Sequence, residues 1–130
     1  MPKYQTELFG QVIYASEISY DALLALENEI KSFITDTLEK ESGEYLGFES
    51  EGDRTFFQCV FQSCDDACME RLAGKFAQRM HSHLESKLLF VERMLGQSVF
   101  YGINHKKIKK QVITLPEAGP IDKALMAEGA

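Results

Sequence analysis

The sequence has no tryptophan, only three prolines, and an odd number of cysteines, three among 130 residues. Three cysteines cannot all pair within one chain, so a complete framework of intrachain disulfides is excluded. No apolar run approaches the roughly 20 residues that are needed to cross a bilayer. The first residues lack the apolar core of a signal peptide and include the acidic Glu7. We therefore expect a cytoplasmic protein with reduced thiols.

Acidic residues outnumber basic ones, since 20 Asp and Glu against 14 Lys and Arg give a formal net charge of −6. This balance argues against a general nucleic-acid binder, which presents a basic surface. A hydrophobic fraction of 45% and a charged fraction of 26% are typical of a globular domain. The length suits one core, and we predict a single α+β domain over residues 1–115. Residues 116–130 are predicted to be a C-terminal tail or a short docking helix.

The first half of the chain predicts a strand, a helix and a hairpin. Ser19 or Asp21 can cap the helix, and Gly43 is placed to end it in a left-handed conformation. Gly52 and Asp53 form a two-residue hairpin centre. The predicted elements are a strand over Tyr4–Ala15, a helix to about Lys40, and strands over Glu44–Glu51 and Thr55–Ser63.

The segment Ser63–Gly96 contains the most regular apolar pattern in the chain. Its steps of three and four residues place Met69, Ala73, Phe76, Met80, Leu84, Leu88, Val91 and Leu95 on one stripe of a helix. Ser63 is predicted to cap this helix, with Asp66 completing a capping box. The alternative is a shorter helix followed by a strand over residues 88–91, which Gly96 and Gln97 would turn into a hairpin with 98–104. The even stripe favours the continuous helix.

Strands over Ser98–Ile103 and Lys106–Leu115 complete the order. This order predicts a ferredoxin-like α+β sandwich, βαββαβ plus an extra C-terminal strand, in which two helices cover one face of an antiparallel sheet. Along the strand Thr55–Ser63, Phe57 and Cys59 point to the core, while Phe56 and Val60 point to the second face. We expect Phe56 and Val60 to form a partly apolar dimer contact.

The cysteines and histidines are the residue types that could hold a metal. Cys59, Cys64 and Cys68 form a C-x4-C-x3-C cluster, but a fourth ligand is missing and ordinary packing is the preferred interpretation. His81 and His83 would point away from each other on a helix, so only His81 with Glu85 could share an ion. The sequence thus predicts no metal and no cofactor.

The segment His105–Lys110 concentrates positive charge through Lys106, Lys107, Lys109 and Lys110. One interpretation is a patch that binds an anion or nucleic acid. The preferred interpretation is an edge strand whose lysines prevent pairing with other molecules. A glycine-rich phosphate loop does not accompany these lysines.

The sequence contains none of the familiar catalytic motifs, such as G-x-S-x-G or H-E-x-x-H. Our first hypothesis is therefore a small intracellular binding or interaction domain that acts as a non-catalytic homodimer. The second is a small enzyme whose ligand lies between sheet and helices, with Tyr14, Tyr45, Tyr101 and His105 as candidate contacts. A third is anion or nucleic-acid binding through Lys106–Lys110.

Overall fold

The computed structural model describes residues 4–14, 17–80, 84–93, 96–104 and 107–114. Within these ranges the chain forms six strands and two helices. The elements in chain order are β1 (Thr6–Tyr14), α1 (Tyr20–Lys40), β2 (Glu44–Glu51), β3 (Arg54–Phe61), α2 (Asp66–Arg79), β4 (Leu84–Glu92), β5 (Gln97–Asn104) and β6 (Lys107–Thr114).

All six strands belong to one antiparallel sheet with the order β2-β3-β1-β4-β5-β6. The predicted α+β class, antiparallel sheet and two helices are confirmed. The predicted count of one extra C-terminal strand is wrong, because both β5 and β6 follow β4 in the sheet.

The core lies between one face of the sheet and the two helices. Alternate residues of the strands are buried together with Ile30 and Ile34 of α1 and with Leu72 and Phe76 of α2. The ring of Phe76 packs between Phe33 and Phe57, at centroid distances of 5.1 and 5.8 Å. The strand residues that alternate with these core residues form the other face, which we call the open face. Neither helix covers the open face in the described part of the chain.

The predicted continuous helix over Ser63–Gly96 is wrong. Helix α2 ends at Arg79, and Met80 already has an extended ψ of 94°. The alternative hairpin is the observed structure, since β4 pairs with β5 and Gly96 has a positive φ of 60° in the turn between them. Leu84 and Leu88 misled the prediction because a spacing of four residues fits both a helical stripe and one face of a strand.

Two predicted helix ends also shift. Asp65, rather than Ser63, caps α2 by accepting a hydrogen bond from the Cys68 backbone N–H at 2.9 Å. The left-handed residue after α1 is Ser42, with φ 66°, and not Gly43. Ser19 caps α1 as predicted, because its hydroxyl accepts a hydrogen bond from the Ala22 N–H. The predicted segment 116–130 and the predictions for His81 and His83 lie outside the described residues.

Candidate functional site

The residues that the sequence offered as ligand contacts are widely separated. Tyr14 is buried in β1, and its hydroxyl is 2.8 Å from the Thr55 hydroxyl. Burial raises the pKa of Tyr14. Tyr101 is buried in β5, with β4 between it and β1. Tyr45 is exposed on the edge strand β2, and His105 lies outside the described residues.

The predicted lysine patch is divided between the two faces of β6. Lys107 and Lys109 are on the open face, because they pair in register with Asn104 and Gly102. Lys110 is on the helix side, where its ammonium is 3.0 Å from a Glu70 carboxylate oxygen and lies over the Tyr101 ring. The Glu70 hydrogen bond raises the pKa of Lys110. Lys106 lies outside the described residues.

Two of the three cysteines differ from the expectation of ordinary packing with reduced thiols. Cys64 and Cys68 are joined by a disulfide across the start of α2, with their Cα atoms 5.4 Å apart. Cys59 is the remaining free thiol of the three, and burial in the core raises its pKa to about 12. A thiol with so high a pKa is a poor nucleophile at neutral pH. Within the described residues, no three potential metal ligands come together.

The centre of the open face is apolar. Strand register places Phe9, Leu89 and Phe100 side by side on β1, β4 and β5. Phe56 and Val60, the predicted dimer residues, are on the same face, since they pair with Gln11 and Glu7 of β1. Further apolar side chains on this face are Ile13, Val91 and Ile113. In a single chain Phe9 remains 41% exposed, and its neighbours Phe56, Leu89 and Phe100 are half-buried.

Two of the charged side chains on this face, Glu7 and Arg54, have partners within the chain. Glu7 forms an ion pair with Arg93, next to the end of β4. The Arg54 guanidinium donates a hydrogen bond to the Gln11 side-chain oxygen at 3.1 Å and lies 3.7 Å from Asp53. Glu7 and Arg54 are therefore paired, whereas Glu85 and Lys87, on the open face of the central strand β4, are in none of the ion pairs formed among the described residues.

The two edges of the open face have opposite charges. On the β2 side, Glu49 and Glu51 pair in register with Phe56 and Arg54 and are exposed. On the β6 side, Lys107 and Lys109 are exposed, and Lys87 of β4 lies beside Gly102. The ion pairs formed among the described residues include none of these five side chains.

Each half of the open face has a depression over a glycine. A cavity of about 580 Å³ surrounds Gly102 and is lined by Lys87, Phe100, Asn104 and the two lysines of β6. A second cavity of about 390 Å³ surrounds Gly47 and is lined by Phe9, Phe56, Gln58 and Glu49. Glycine has no side chain, so the backbone forms the floor of each depression.

The sequence prediction missed Lys87 and Leu89 because it placed β4 inside a helix. The signal was present in the alternation of Leu84, Ser86, Leu88 and Phe90 with Glu85, Lys87, Leu89 and Val91. The first set is buried or faces the core, and the second faces outward. The sequence alone could not show that acidic β2 and basic β6 lie at opposite edges of one sheet, because that depends on the strand order.

Comparisons with protein-family models, with curated proteins and with solved structures found no match to this chain. Its function therefore has to be inferred from its own residues. Among those described, no helix is long and apolar enough to cross a membrane.

Proposed function

We propose that this chain is a small interaction domain that works as a homodimer, with the open face of its sheet as the contact between two copies. The observation that carries the proposal is the apolar centre formed by Phe9, Leu89 and Phe100 on a face that neither helix covers. Removing this surface from water favours association roughly in proportion to its apolar area.

The size of the face supports a stable contact. Six strands about 4.8 Å apart and eight residues long at about 3.4 Å each give a footprint of about 800 Å². This is about the area that each partner buries in a protein–protein interface of standard size. A second copy fits because sheets pack face to face in β-sandwiches, with the inward side chains of both sheets forming one layer.

We further infer a ferredoxin-like unit, made of β1 to β4 with both helices and extended by β5 and β6. The strand order β2-β3-β1-β4 with antiparallel neighbours supports this assignment. In such a unit both helices lie on one side, so the other side is available to a partner. The extension by β5 and β6 widens that side and adds Phe100 to its apolar centre.

Sedimentation equilibrium of the full chain at micromolar concentration tests the dimer. The wild-type protein should have the mass of two chains. Phe9→Glu, at the middle of the open face, should shift it to a monomer because a carboxylate would be buried without a partner. Leu24→Glu is the matched control, since Leu24 is equally exposed at 41% but lies on α1. A monomeric wild type, or a Phe9→Glu variant that stays dimeric, would overturn the proposal.

The cavity at Gly102 supports a second candidate, the binding of a small anion. Three lysines line it, Lys87, Lys107 and Lys109, against one carboxylate, that of Glu85, and Asn104 adds a polar side chain. Titration with inorganic phosphate, followed by the backbone amide signals of β5 and β6, tests this candidate. Binding should weaken steeply with added salt, and unchanged signals at millimolar phosphate would exclude it.

A further inference from the structure

The open face has a charge and shape pattern that is complementary to itself under one particular two-fold rotation. Strand register defines two neighbouring rows that cross the sheet from β2 to β6. The first row is Glu49, Phe56, Gln11, Lys87, Gly102 and Lys109, and the second is Glu51, Arg54, Ile13, Glu85, Asn104 and Lys107. Both rows begin with a glutamate on β2 and end with a lysine on β6.

We infer that two copies stack their open faces about a two-fold axis that runs parallel to the strands, between β1 and β4, so that the glutamates of β2 in each copy meet the lysines of β6 in the other. This inference rests on the proposed function, because it specifies how the homodimer is assembled. Such an axis places β4 over β1 of the partner, β5 over β3, and β6 over β2.

Charge selects this axis over the other face-to-face arrangement. A two-fold axis across the strands would place β2 over the partner's β2 and β6 over its β6. Glu49 and Glu51 would then face glutamates, and Lys107 and Lys109 would face lysines. Like charges brought together at an interface are unfavourable and exclude that register. The axis parallel to the strands instead places opposite charges at both edges of the interface.

Shape supports the same axis. Because the rotation keeps each row at its own level along the strands, Gly102 lies opposite Phe56 of the second copy. The cavity of about 580 Å³ at Gly102 can receive an aromatic ring. One row away, Leu89 lies opposite Phe9 and Gln111 lies opposite Gly47, where the second cavity of about 390 Å³ is found. Each depression thus faces a side chain that can fill it.

The usual rotation between stacked sheets preserves the match of charges at the two edges. Stacked sheets are typically rotated by about 30°, which displaces the edge strands, about 12 Å from the axis, by about 7 Å along their length. This displacement is about the distance between residues i and i+2 of a strand, which are neighbours on the same face. Glu49 and Glu51 share one charge and Lys107 and Lys109 share the other, so opposite charges still meet after a shift of one step.

A charge-exchange experiment tests the inference. One variant carries Lys107→Glu and Lys109→Glu, and the other carries Glu49→Lys and Glu51→Lys. Each variant alone places like charges at both edges, so its dimer dissociation constant should rise at least tenfold. An equimolar mixture should form a heterodimer, because each edge then has one acidic and one basic side. A variant with all four changes should recover the homodimer.

Ion-exchange chromatography distinguishes the two homodimers from the heterodimer, because the two double variants differ by eight charges per chain, −4 for two Lys→Glu changes against +4 for two Glu→Lys changes. Sedimentation equilibrium measures the dissociation constant of each species. The matched control for the Lys107→Glu and Lys109→Glu variant is Lys40→Glu with Lys75→Glu. It changes the net charge by the same amount, but on the helices instead of on the open face. This control should dimerise like the wild type if position, rather than net charge, decides the outcome.

The failure of the inference and the failure of the proposed function give different results. If the wild type is a monomer, the proposed function fails and the inference fails with it. If the wild type is a dimer and both variants dimerise with unchanged affinity, only the axis is wrong. A mixture that forms no heterodimer also overturns the axis. If deletion of residues 115–130 converts a monomeric wild type into a dimer, the occupant of the open face is that segment.

Discussion

At the scale of single residues, Gly10 has a steric role in the middle of β1. The ring of Phe57 on the neighbouring strand lies directly over it, so that a Cβ at position 10 would be 2.1 Å from the ring carbon Cζ. Phe57 is 3% exposed and stacks on Phe76, with centroids 5.8 Å apart. The ring therefore has no room to move away. The Phe57 ring thus occupies the space that a side chain at position 10 would need.

We predict that Gly10→Ala destabilises the protein by about 1–3 kcal/mol, the usual cost of overpacking a filled core. Urea denaturation of both proteins measures the difference in the free energy of unfolding. Phe57→Leu supplies the control, because removing the ring opens space for the new methyl group. In the Phe57→Leu background the alanine should cost clearly less. An equal cost in both backgrounds would show that Phe57 is not the obstacle.

At the scale of whole elements, the sequence identified β1, α1, β2, β3, β5 and β6 but missed β4, because the predicted second helix continued through it. The failure has a physical cause, since Leu84 and Leu88 satisfy the helical and the strand period together. Tertiary structure decides between helix and strand for this segment, because β4 pairs with both β1 and β5. Phe56 and Val60 could be placed on the open face from β3 alone. The positions of Lys87 and Leu89 could not, because they depend on the pairing of β4.

An ion pair connects the end of α1 to α2. The Arg71 guanidinium donates two hydrogen bonds to the Glu41 carboxylate, at 3.0 and 2.9 Å. These bonds lower the pKa of Glu41 below its ordinary value of 4.5. A carboxylate whose pKa is lowered by folding stabilises the protein above its unfolded pKa, and this stabilisation is lost as the pH falls through the folded pKa.

We therefore predict that Glu41→Gln is less stable than the wild type at pH 7 and that the difference shrinks as the pH falls below about 4.5. The effect should be small, because Arg71 is largely exposed to solvent. Thermal unfolding across this pH range measures it. Arg71→Gln should reproduce the loss, and the double variant should be no worse than either single variant. A difference that stays constant with pH would show that the carboxylate charge is not involved.

At the scale of the whole molecule, the two faces of the sheet have different expected roles, one in folding and the other in assembly. The face toward α1 and α2 contains the buried aromatic core and supplies the stability of a single chain. The open face has an apolar centre, opposite charges at its two edges and a depression over a glycine on each side. A strand presents alternate residues to opposite faces, so side chains on the open face can change without disturbing the core. We therefore expect mutations on the open face to change the dimer dissociation constant with little effect on the free energy of unfolding of a single chain.

Gly102→Val makes this separation measurable. A Cβ at position 102 would meet nothing closer than the Phe100 ring at 3.4 Å, which is an ordinary contact. Valine also favours a strand more than glycine does, so the stability of the single chain should be unchanged or slightly higher. The new side chain would fill the depression that, in the proposed dimer, receives Phe56 of the second copy.

We predict that Gly102→Val raises the dimer dissociation constant at least tenfold, as measured by sedimentation equilibrium, without lowering the unfolding midpoint of the dilute monomer. Gly74→Ala is the control, because a Cβ at Gly74 meets nothing within 4 Å and the residue lies on α2, away from the open face. That variant should keep the wild-type dissociation constant. A Gly102→Val protein that dimerises normally would show that the depression stays empty in the dimer, whereas one that unfolds more easily would show that Gly102 serves the fold instead.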